Sequence, residues 1–283
     1  MKAKSFTGKF ILLAVLVLLA KGFAYAGNFG LGVHTGYGVI KYEEFTTAVG
    51  AKIESESSLD TFLLGVSGEY SLKKYSNLYT AIVTDWAFGL EDNEKWKENN
   101  SVIQRNDISL FGQFYDLRFG YKNTLDRFYY RTYLSGGWDG IHFRRKNFVV
   151  NDIAQPTDAI TEDFSLWRIG AGLGFGYKFG VWAFDGRAAY SYYFDGEVRN
   201  SSHEGLVFDT NGTCLDIGLG IAREITKNIN LYAGGSYTQM DLDESEVNRE
   251  VTQHGNIITR QDIVFPDSRT RILAGVINLT YAF

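Results

Sequence analysis

The sequence predicts an all-β protein, an antiparallel up-and-down transmembrane β-barrel of about ten strands with short turns at one end and long connections at the other. Three observations predict it. Apolar and small or polar side chains alternate with a period of two from Asn28 to the terminus. The connections between alternating segments are by turns short and long. The last segment places Ile277, Leu279, Tyr281 and Phe283 on one face and Val276, Asn278, Thr280 and Ala282 on the other, ending on an aromatic residue.

The first 26 residues read as a cleaved signal peptide. Lys2, Lys4 and Lys9 form a basic region, Phe10 to Ala20 an apolar one, and Ala24-Tyr25-Ala26 a small-x-small cleavage site, so the mature barrel domain is expected over 27–283. The apolar run is far shorter than the roughly 20 residues of a spanning helix. Without Lys2, Lys4, Lys9 and Lys21 the mature chain keeps 24 bases against 33 acids, and its formal charge moves from −5 to −9. An acidic chain of this kind excludes nucleic acid as a partner. Cys214 is the one cysteine, so no intramolecular disulfide forms.

Strands are expected at 28–42, 58–71, 77–90, 107–121, 127–144, 163–179, 181–199, 211–225, 229–243 and 269–283. The connections at 72–76, 122–126, 180 and 226–228 are tight, and those at 43–57, 91–106, 145–162, 200–210 and 244–268 are long, polar and acidic. Short turns on the periplasmic side and long loops outside are the arrangement of outer-membrane barrels, which sets the expected location. Pro156 and Pro266, the only prolines, fall in long loops, as they must where every strand N–H donates to a neighbour.

Parity separates lipid from lumen. Trp167, Ile169, Ala171, Leu173, Phe175, Tyr177 and Phe179 suit lipid; Arg168, Gly170, Gly172, Gly174, Gly176 and Lys178 suit a crowded interior. The glycines do not match a Gly-x-Gly-x-x-Gly phosphate loop, because position 177 is Tyr. The same parity turns Asp85, Asp116, Arg118, Arg131, Asp139, Asp185, Arg187 and Asp216 inward. With Arg168 and Lys178 they form a lumen charge network of five acids and five bases. Such a set reads as a salt-bridged plug of a narrow barrel, and alternatively as an ion or proton path through a narrow, porin-like channel.

Ten strands, both ends periplasmic and tall outer loops resemble the omptin family of outer-membrane barrels, in the spacing and aromatic content of Asp107 to Tyr121, Trp182 to Val198 and Leu231 to Phe283. The resemblance implies an endopeptidase that cleaves next to basic residues and is activated by lipopolysaccharide, with an Asp-x-Asp pair near the top of one hairpin facing an Asp-x-His across a cleft. The matching region here offers Asp85, then Glu91 and Asp92, without Asp-x-Asp. The other reads Arg199-Asn200-Ser201-Ser202-His203-Glu204, with Ser201 two residues before the histidine. Asp85, Asp92 and His203 are therefore the catalytic candidates under the protease reading. The reading preferred from the residues is a non-enzymatic outer-membrane barrel with a side-chain-filled lumen and surface-exposed interaction loops.

The basic run Arg144-Arg145-Lys146, where its strand should leave the outer leaflet, suits contact with lipopolysaccharide phosphates. Tyr281 and Phe283 resemble the signal read by the outer-membrane assembly machinery. The acidic loop Asp241-Leu242-Asp243-Glu244-Ser245-Glu246 lacks calcium-loop spacing, the four histidines lack metal-ligand spacing, and no Gly-x-Ser-x-Gly occurs. No cofactor or metal is expected. The outer-membrane lipid is the expected surroundings, and no extracellular partner is named by the residues.

Overall fold

The structure is a computed structural model that describes residues 27–47, 50–72, 75, 77–203, 206–253 and 256–283. The expected signal peptide, 1–26, lies outside them. The strands are β1 (Gly27–Thr46), β2 (Ile53–Leu72), β3 (Leu78–Glu98), β4 (Ser101–Leu125), β5 (Phe128–Val150), β6 (Ile153–Ala154), β7 (Ile160–Phe179), β8 (Trp182–Asn200), β9 (Phe208–Thr226), β10 (Ile229–Leu242), β11 (Ser245–Gln253), β12 (Asn256–Phe265) and β13 (Asp267–Ala282). Ten of them, all but β6, β11 and β12, pair antiparallel in a ring, which the β4–β5 and β1–β13 ladders complete. A closed ring leaves no sheet edge, so each spanning strand satisfies its backbone without water.

The outside of the ring is apolar where a soluble protein would be polar. Leu134 is 67% exposed, Phe119 63%, Leu273 63% and Ile169 61%, and all four face outward. Each such side chain gains about 1.5–3 kcal/mol on leaving water, so the belt needs hydrocarbon around it. The belt has a sharp upper edge. Outward positions change from Val39 to Lys41 on β1, from Leu273 to Arg271 on β13 and from Phe62 to Asp60 on β2. Gly27 and Phe283 lie at the opposite, short-turn end, with the tight turns after β4, β7 and β9. That end is periplasmic by the usual plan.

The strands run well beyond the belt, and here the structure extends the sequence reading. Much of 91–106 and 145–162 is strand and not loop. Asn99 (φ 48°) and Asn100 (φ 70°) close the β3–β4 hairpin, and the left-handed pair at Asn151 and Asp152 turns β5 into β6. The segment 244–268 contains the two-stranded β11–β12 hairpin, separate from the ring sheet. The extensions of β3, β4 and β5 read as loops because beyond the bilayer their outward side chains face water, and the apolar alternation that marks a spanning strand is lost.

Inward faces divide the lumen into two halves. Above the belt edge Ile40, Tyr42, Leu59, Phe143, Phe164, Val198, Phe208 and Leu242 pack into a buried core, joined by Phe265 from the end of the β11–β12 hairpin. Phe265 meets Phe164 at a ring separation of 5.7 Å and Phe208 at 5.6 Å. The extracellular half is thus packed like a soluble protein's interior.

Candidate functional site

Below that core lies a cavity of about 560 Å³ with Leu63, Phe114, Met240 and Ile272 at its ceiling, reaching Asn28, Asn230 and Ala282 near the periplasmic end. Of the ten residues expected in the lumen charge network, nine line it: Asp85, Asp116, Arg118, Arg131, Asp139, Arg168, Asp185, Arg187 and Asp216. Lys178 is the tenth. It is exposed at the periplasmic end of β7, its ammonium 6.0 Å from the Tyr129 ring centre.

Most of the charges in the cavity are paired. Arg118 donates to Asp116 at 2.5 Å, and Arg168 donates to Asp139 at 3.2 Å while lying 3.5 Å from Asp116. Asp139 also accepts the Tyr193 hydroxyl at 2.6 Å. Arg131 and the Tyr129 hydroxyl both donate to Asp185, at 3.4 and 2.6 Å. Asp216 accepts from the Thr238 hydroxyl at 2.6 Å. Three further members lie outside the expected ten: Lys122 pairs with Glu69 at 2.5 Å, and His34 pairs with Asp85. Pairing offsets the desolvation each group would suffer alone.

Glycines make these pairings possible. Residues directly across a sheet sit on adjacent strands, yet His34 on β1 reaches Asp85 on β3 by lying over Gly65 of β2, which is opposite both. Arg168 of β7 passes over Gly137 of β5, where an added Cβ would come 3.1 Å from its Nε, toward Asp116 of β4. Tyr129 of β5 crosses Gly176 of β7 to Asp185 of β8. A side chain at the middle position would block each reach.

The catalytic candidates are not brought together. Asp85 is in the lower cavity against His34. Asp92 is exposed beyond the β3 bulge, where its carboxylate accepts the N–H of its neighbour Asn93 at 2.7 Å. His203 ends a single 3₁₀ turn, Ser201–His203, and its side chain lies outside the described residues. The two lie seven residues apart on β3, Asp85 within the bilayer span and Asp92 above it, and the bulge between Gly89 and Asp92 shifts the inward parity from odd positions to even ones.

The basic run also separates. Arg144 is exposed on the outside, and Lys146 pairs with Glu91 at 2.7 Å. Arg145 corrects the lipopolysaccharide expectation, because it points inward and its side chain is only 4% exposed. It donates to Glu94 through Nε at 2.7 Å, to Glu44 at 2.8 Å, and to Glu162. Asn106 and Asn200 complete the shell, donating to Glu94 at 2.8 Å and to Glu162 at 2.6 Å. One guanidinium thereby ties β1, β3, β5 and β7 across the lumen. The cluster stands above the belt edge, outside the bilayer span. Burial pushes Glu44 up from an ordinary 4.5 to about 7 against the opposing pull of Arg145, helped by the charges of Glu162 and Glu94.

Tyr281 and Phe283 sit at the outward periplasmic end of β13 with rings 4.8 Å apart, and the Phe283 N–H donates to the Phe29 carbonyl at 2.8 Å. No helix among the described residues is long and apolar enough to cross a membrane, which has no bearing on strands.

No family model matches the chain, and no curated relative matches it. Among solved structures it is similar to the outer-membrane protease OmpT of Escherichia coli, with 12% identity and a TM-score of 0.66 over 91% of this chain and 97% of that one. Two others overlay too loosely to carry an argument. The transport unit of the autotransporter AIDA-I of Escherichia coli has 10% identity and a TM-score of 0.42 over 91% and 90% of the two chains. The translocator domain of the autotransporter NalP of Neisseria meningitidis has 14% identity and a TM-score of 0.35 over 100% of each. Identity this low carries the fold and nothing finer. The closed ten-stranded ring, its apolar belt and this likeness make the chain an outer-membrane β-barrel of omptin-like layout.

Proposed function

We propose that the protein is a non-conducting, non-enzymatic outer-membrane barrel whose extracellular wall serves as an interaction or envelope-structural surface. The observation that carries the reading is the filled upper lumen, where Arg145 and its three glutamates sit within an apolar core roofed by Phe265. An ion crossing it would have to leave water and displace packed side chains, a cost of several kcal/mol at least. Outward Arg144 supports lipopolysaccharide as a lipid partner, and Tyr281 and Phe283 support recognition by the assembly machinery.

Planar-bilayer recording tests the reading. Purified protein is expected to give no discrete conductance steps, and steps that change on Arg168→Ala would replace the plug with a narrow channel. A peptidase assay in lipopolysaccharide-containing micelles adds the enzymatic arm. Cleavage next to basic residues that Asp85→Asn abolishes would favour an omptin-type endopeptidase.

A further inference from the structure

The donor–glycine–acid rungs of the lower lumen include one that is incomplete. Arg187 of β8 lies over Gly218 of β9, where an added Cβ would come 2.9 Å from its Nε, in the same way that Arg168 lies over Gly137. The residue across Gly218 on β10 is Ser236, not an acid. Arg187 has no carboxylate partner among the described residues, and it is exposed to the cavity that Ser236 also lines. The other guanidiniums in the cavity, Arg118, Arg131 and Arg168, each have one.

We propose that the lower lumen is a binding cup for a small anionic solute from the periplasm, whose carboxylate or phosphate group occupies the acid position missing opposite Arg187. A guanidinium in a partly dry wall is the side chain best suited to a two-oxygen anion, and the Ser236 hydroxyl is placed to donate a further hydrogen bond. The volume of about 560 Å³ suits a small solute. The sealed ceiling makes the cup blind, so a solute enters and leaves by the periplasmic mouth. The proposal rests on the closed upper lumen of the preceding section, but its test does not.

The test is isothermal titration of the full barrel in a non-ionic detergent with succinate and, separately, with inorganic phosphate at constant ionic strength. Saturable binding of either anion is expected, weakened roughly tenfold or more in Arg187→Gln. Ser236→Asp, which supplies the missing carboxylate from within, is expected to abolish binding while leaving the barrel folded by circular dichroism. Succinate alone binding identifies a carboxylate ligand and phosphate alone a phosphoryl one. Heats that do not saturate in the wild type, or that are unchanged in both variants, overturn the proposal. Conductance steps in the bilayer experiment alongside intact Arg187-dependent binding would overturn the sealed-barrel reading and leave the anion site standing.

Discussion

The two halves of the lumen solve one problem in opposite ways. Above the belt edge the interior is dry and apolar, and its charge is gathered at a single point, the guanidinium of Arg145 shared by Glu44, Glu94 and Glu162. Below it the interior encloses a cavity, and charge is spread over several pairs, one within β4 and the others spanning two or three strands. The contrast sets where a lost charge is costly. In the upper half one deletion strands several buried carboxylates, whereas in the lower half water remains as a substitute partner.

The largest test of that contrast is Arg145→Ala. Removing the one cation leaves three buried glutamates unpaired, and the expected loss is about 4 kcal/mol or more in urea unfolding from micelles. A loss below roughly 1 kcal/mol, the scale of an exposed pair, would show that water reaches the cluster. Next comes Phe208→Ala, which opens a hole beneath the Phe265 roof at an expected cost of about 3 kcal/mol, read as a lower melting temperature. An unchanged melting point would mean that the roof does not seat on the barrel.

The third test uses pH. Glu44 binds its proton more tightly folded than unfolded, so its contribution to stability is largest below the ordinary carboxylate value and declines as pH rises from 4.5 to about 7. The decline is on the order of 3 kcal/mol at most. Glu44→Gln is expected to flatten the stability profile across that window, and parallel profiles for the two proteins would refute the assignment. The smallest effect is expected from the lower half. Arg131, whose side chain is 36% exposed, should cost about 1 kcal/mol or less when changed to Ala, as measured by the same urea midpoints.

What the sequence disclosed follows the membrane. The spanning strands were legible because hydrocarbon on one side and lumen on the other impose a strict alternation, and β7, with Trp167 to Phe179 outward and its glycines inward, is the clearest case. Beyond the bilayer that constraint lapses. β5 was expected to stop at Arg144, yet the inward series Asp139, Ile141, Phe143 continues to Arg145, and carrying the parity one step further would have found the clamp. The β11–β12 hairpin carries no comparable pattern and reads as loop. In the candidate site, parity gave direction but not partner: His34 and Asp85 are 51 residues apart, and only the register that sets both opposite Gly65 unites them. The turn of Glu94 into the lumen rests on the bulge between Gly89 and Asp92, which no periodicity announces.

The β3–β4 hairpin has a practical implication. Its tip, Asn99-Asn100, is exposed in left-handed turn geometry at the end of two long paired strands, and the packed plug draws on these strands well short of it, at Glu94 and Asn106. Foreign peptide inserted at that tip would lengthen an excursion the molecule already tolerates, without touching the apolar belt, the β1–β13 ladder or the Arg145 cluster. The barrel thereby offers itself as a carrier for displaying epitopes on a cell surface.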